Sequence, residues 1–181
     1  VAEKVVVLTR NGKRIPDKYC SAKQVPKIPN KNPVREYVTS QPLSAELDKL
    51  VFSMLQELME FQERLRLRDP TKSKLRRRLV FGLREVKRGI KSEKVKCLIV
   101  APNIDEGSIQ GGLNDTVNDI LTLARERETT TVIFALSKKK LGAALRKSVK
   151  VSAVGIYSMD GAFDTYKKIL KMMEELKKEQ K

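Results

Sequence analysis

The chain contains no histidine and no tryptophan. Without histidine it loses the side chain that most often serves as general base, proton shuttle or metal ligand near neutral pH. Only Cys20 and Cys97 could pair, which is too little for a disulfide framework and makes a reducing compartment the expected setting. Cys97 lies in the apolar run CLIVA, the surroundings of a small packed hydrophobe and not of an activated thiolate. No apolar run approaches the ~20 residues that cross a bilayer, and no secretory signal is read at the start. The expected setting is the cytoplasm, with shuttling to the nucleus and no membrane partner.

Phosphate-binding loops and dinucleotide fingerprints are missing too. The stretch QGGLND has adjacent glycines but no lysine; it is read as a turn, with Asn114 or Asp115 near a helix start. Asp115 with Asp119, and Asp160 with Asp164, stand at helical spacing. Lacking a second ligand type, they are read as solvated faces or caps. The chain is therefore expected not to be an enzyme and to need no cofactor, metal or small-molecule substrate.

What is abundant is positive charge. Over 181 residues the net charge is +16, which points to polyanionic partners. Thr71 to Lys96 carries eleven bases against Glu85 and Glu93, and Lys138 to Lys150 carries six bases and no acid. Between them, Cys97 to Ser137 holds six acids and two bases. Two basic segments separated by an acidic one suggest that folding brings the basic ones together.

Five prolines interrupt Val1 to Pro42, so residues 1–42 are expected to form an extended arm or to lack order. Residues 43–181 are the expected domain. It opens with a helix over 44–68, with Ser44 as N-cap, a stripe from Leu47 through Leu65, and a stop at Asp69-Pro70. That stripe is read as core. Strands are expected at Leu79–Phe81, Cys97–Ala101, Thr131–Leu136 and Val151–Tyr157. Helices are expected at Leu83–Ile90, Leu113–Arg127, Lys138–Arg146 (capped by Ser137) and Ala162–Lys178. Apolar strands alternating with helices predict an α/β fold: a three-layer α/β/α sandwich around a small mixed sheet.

Glu85 stands out as an acid in a basic field. A carboxylate beside a phosphate backbone is repelled, so on a nucleic-acid surface it is useful as an acceptor for base amino or imino groups. Arg84 could read a guanine edge, and Gly82 could let a backbone approach a helix N-terminus. Equally, Glu85 could pair with Arg88 or Lys87 along the helix surface. Composition leaves both open.

The strings FGLREVKRG, SKKKLGAAL and VSAVGIYSMDGA resemble the kink-turn RNA-binding domain of the archaeal and eukaryotic ribosomal-protein family. Ser137, Lys138, Leu141, Gly142 and Ala144 fill its Ser-Lys-x-x-Leu-Gly-x-Ala signature. Gly82 and Glu85 meet its Gly-x-Asn-Glu-x-x-Lys turn, which this chain leaves at Arg84 and Arg88. With VKCLIVAPN and GGLNDT added, the chain looks most like the SECIS-binding branch, from about Glu36 to Leu170. The resemblance implies binding of the SECIS stem-loop in selenoprotein messages through tandem sheared G·A pairs. It also implies work with the ribosome and the selenocysteine-specific elongation factor to recode UGA. It assigns Gly82, Arg84, Glu85 and Arg88 to the G·A core and Lys87 to a phosphate. Lys147, Ser148, Val149 and Lys150 form a second contact loop, flanked by Lys138, and Asn103 and Ile104 border the surface. The alternatives are a generic kink-turn binder of ribosomal or small nucleolar particles, and an adaptor that docks through the 44–68 helix.

Overall fold

The computed structural model describes residues 43–102 and 113–179. The expected arm, Cys20, Asn103 and Ile104 lie outside the described residues. In chain order come α1 (Ala45–Arg68), α2 (Pro70–Leu75), β1 (Leu79–Phe81), α3 (Leu83–Lys91), β2 (Cys97–Val100), α4 (Leu113–Glu126), β3 (Thr131–Phe134), α5 (Lys138–Ala144), β4 (Ala153–Ile156) and α6 (Phe163–Glu179).

The four strands form one mixed sheet in the order β1-β4-β2-β3. β4 runs antiparallel to both neighbours, while β2 and β3 are parallel. Every residue of the central strands, CLIV and AVGI, is buried; uninterrupted apolar sequence is what a strand covered on both faces requires. α3 packs with α4, and α1 packs with α5 and α6. These groups are the outer layers of the expected sandwich.

The stripe of α1 is core from Leu47 to Leu58, whereas Phe61 and Leu65 at its end are only half-buried. Leu47, Val51, Met54, Leu55 and Leu58 are each 0% exposed, and burying such side chains contributes roughly 1.5–3 kcal/mol apiece. Ser44 does precede the helix in extended conformation, but its side chain makes no cap bond. The Asp48 carboxylate reaches out of the first turn instead, accepting the Leu136 N–H at 3.0 Å. That bond ties α1 to the β3–α5 junction, where Leu136 has a φ of 64°. The positive φ ends β3 before the expected Leu136.

Asp69-Pro70 ends α1, as expected, but also begins α2, which the sequence reading missed. Asp69 Oδ1 accepts the Lys72 N–H at 3.0 Å, and Pro70 occupies the first turn, where its missing N–H costs nothing. α5 is two residues shorter than expected. Arg146, at φ 53°, donates its N–H to Ala143, and Lys147 donates to Gly142. This double closure is a Schellman end with arginine in the usual glycine position.

Candidate nucleic-acid interface

Gly82 has φ 93° and ψ 139° at the N-terminus of α3. That φ belongs to glycine. A Cβ built there would meet nothing within 4 Å, so the residue meets a backbone need and leaves open surface in front of the helix. Val86, Gly89 and Ile90 bury one side of α3. Gly89 is required by packing, because a Cβ would lie 2.7 Å from the Tyr157 hydroxyl. Arg84, Glu85 and Arg88 fall on the exposed side, within roughly 100° of arc at 3.6 residues per turn.

Glu85 lies 3.5 Å from Arg88, with their side chains 48% and 78% exposed. This is the ion pair that the sequence allowed. A pair so exposed contributes about 0–1 kcal/mol, so it restrains Glu85 weakly. Lys87 sits on the other flank, donating to Asp119 of α4 at 2.8 Å. Its ammonium clamps the two helices together.

The second segment comes from α5 and its connection to β4. At Gly142 a Cβ would lie 2.0 Å from the Val149 carbonyl oxygen, so only glycine lets the 147–150 loop lie against α5. Val151 N–H donates to the Lys138 carbonyl at 3.1 Å and closes the other side. Held in this way, Lys147 places its Nζ 5.5 Å from the centroid of the Phe81 ring, a cation–π distance. Phe81 immediately precedes Gly82, so the two basic segments do meet. Val149 is 59% exposed, and Ser148 and Lys150 face solvent. Lys138, by contrast, is 6% exposed, which leaves little of its side chain for an outside phosphate.

Glu85, Phe81, Arg146 and Lys147 share a groove of about 860 Å³ with Arg66, Lys74 and Arg77 from α1, α2 and the turn into β1. The last three, with Phe81 and Arg146, were absent from the sequence-derived site. The Asp-Pro helix start was a usable signal for α2, but nothing local shows which wall its bases face. Electrostatics link the walls: the hydrogen-bonded Arg66 guanidinium holds the Glu63 carboxyl below its usual range, and Lys147 and Arg146 add to the effect. Burial raises the Tyr157 hydroxyl pKa, Glu85 raises it further, and Arg77 and Arg88 oppose the shift. In the core, burial pushes the Cys97 thiol up to about 12, as befits a packed hydrophobe.

Residues 67–164 match the ribosomal protein L7Ae/L30e/S12e/Gadd45 family. The chain belongs to that family. Within this L7Ae-type span lie α2 and the whole sheet, whereas nearly all of α1 precedes it. The chain is 45% identical over 147 residues to selenocysteine insertion sequence-binding protein 2 of Rattus norvegicus, matching 81% of the chain and 17% of the relative. It is 44% identical over 144 residues to the human selenocysteine insertion sequence-binding protein 2-like, matching 80% and 13%. The chain thus spans less than a fifth of the curated relatives it matches. The L7Ae-type fold also matches a 15.5kD RNA binding protein of Giardia lamblia, with a TM-score of 0.54, 17% identity, and coverage of 75% of this chain and 94% of that one.

Proposed function

We propose that this domain binds the SECIS stem-loop of selenoprotein messages, reading its kink-turn core of sheared G·A pairs with the exposed side of α3. The carrying observation is Glu85, an exposed acceptor among bases, held only by a weak pair to Arg88 and set beside the open helix N-terminus at Gly82. On binding, Glu85 exchanges Arg88 for base amino or imino donors, and Arg84 and Arg88 take base edges or nearby phosphates. Lys147 and Lys150 neutralise phosphates, while exposed Val149 offers an apolar contact. Asn103 and Ile104, outside the described residues, are proposed as further RNA contacts. Sequence similarity to proteins named for binding the selenocysteine insertion sequence supports the choice of RNA.

In the longer protein this domain works without catalysis, with the ribosome and the selenocysteine-specific elongation factor, in the cytoplasm and with nuclear shuttling. No described helix is long and apolar enough to cross a membrane. Burial of the α1 stripe from Leu47 to Leu58 leaves that side of the helix unavailable to a partner, which favours the RNA reading over the adaptor.

A competition gel shift at physiological salt tests the proposal. Wild-type protein should prefer intact SECIS RNA over a G·A-disrupted stem-loop, and Glu85→Ala should lose about 1–3 kcal/mol of that binding. Equal loss on both RNAs would refute the base-reading role of Glu85. Equal affinity for SECIS and a ribosomal kink-turn would make the domain a generic kink-turn binder.

A further inference from the structure

The groove beside Glu85 has a second wall that the signature residues do not account for. Lys74 of α2 and Arg77 of the turn into β1 line it together with Phe81, Arg146 and Lys147. Among the described residues none of these four bases makes a close ion pair, and Arg146 and Lys147 act on Glu63 only at longer range. The two acids that line the groove are already engaged: Glu63 by Arg66, and Glu85 by Arg88. Among the described residues, five bases against two acids leave a surplus of positive charge lining a trough that includes Glu85.

The wall is built to hold its position. Asp69 caps α2 and Pro70 sets its first turn. Gln62 Oε1 accepts the Arg78 and Leu79 N–H groups at 3.0 and 3.3 Å. On the other side the Arg78 carbonyl accepts the Tyr157 N–H at 2.7 Å. The arginine run therefore leaves the sheet edge at a fixed point. Like-charged side chains held along both sides of a trough repel one another and lower stability, so an arrangement of this kind calls for a polyanion to complete it.

We infer that the groove takes the sugar–phosphate backbone of one RNA strand as it leaves the element read by Glu85, with Lys74 and Arg77 as phosphate contacts. This rests on the SECIS reading and deepens it: the α1–α2 corner extends the footprint beyond the G·A core. Contacts of this type add affinity without reading sequence. An acidic protein segment is the competing occupant.

The test compares Lys74→Gln/Arg77→Gln with wild type on SECIS RNA carrying full flanking helices and on RNA trimmed to the G·A core. Both side chains are exposed, and thermal unfolding checks that the fold survives. On full RNA the double variant should bind on the order of tenfold more weakly, with the salt slope reduced by about two. On trimmed RNA it should match wild type. Discrimination between intact and disrupted G·A pairs should not change. Equal losses on both RNAs, or an unchanged salt slope, would overturn the strand path. Full retention of RNA affinity would leave the wall to an acidic protein and overturn it too. Failure of the underlying reading shows separately, as wild type that ignores the G·A pairs.

Discussion

α3 and the 147–150 loop reach the same surface by different physical means. The helix is anchored by side chains: Val86 and Ile90 sink into the core and Lys87 clasps Asp119, which frees Arg84, Glu85 and Arg88. The loop has no such anchor. It is held by backbone, through the Schellman end of α5, the Val151–Lys138 hydrogen bond, and close contact at Gly142. An exposed helical side chain can therefore change without moving its neighbours, whereas one added methyl beneath the loop displaces several contacts at once.

Gly142→Ala should expose that contrast most strongly. The added Cβ collides with the Val149 carbonyl, and overpacking of this kind costs about 1–3 kcal/mol. Urea denaturation should show the stability loss, and SECIS affinity should fall with it as the loop shifts. If stability and affinity both survive, the loop is not seated on Gly142. Glu85→Ala is the counterpart on the helix. It should weaken SECIS binding as stated above while stability stays within about 0.5 kcal/mol of wild type. Smaller effects on binding are expected from Lys147→Ala and Lys150→Ala. Each should weaken SECIS and G·A-disrupted RNA alike and reduce the salt slope by about one; an unchanged slope would exclude that lysine as a phosphate contact. Least of all, Arg88→Gln should alter stability by less than about 1 kcal/mol, because its pair with Glu85 is exposed. A larger shift in the denaturation midpoint would mean that the pair is structural.

Much of the fold is legible in sequence because local pattern and tertiary need coincide. The run CLIV is apolar throughout and becomes a fully buried strand, and TVIF becomes a strand that buries Ile133 and Phe134. The stripe from Leu47 to Leu58 repeats at helical spacing and becomes core. The ends were read less well. β3 stops before Leu136 and α5 before Arg146 because both residues adopt positive φ, which ordinary side chains do not announce. α2 was passed over because Asp69-Pro70 was read only as a stop, although the same pair starts a helix. Within the site, Glu85 could be singled out by its sign alone. Lys87 looked equivalent to its neighbours until α4 brought Asp119 against it.

By itself, the sequence determined the alternation of strands and helices, the surplus of positive charge and the signature positions from Gly82 to Ala144, since all of these are local properties. Tertiary structure decided which bases share a surface. Packing against α4 engages Lys87 with Asp119, folding buries Lys138 at the start of α5, and the chain around α2 brings Lys74 and Arg77 into one groove with Arg146. Charge is a property of a residue, but a groove is a property of the walls that meet there, and only folding brings those walls together.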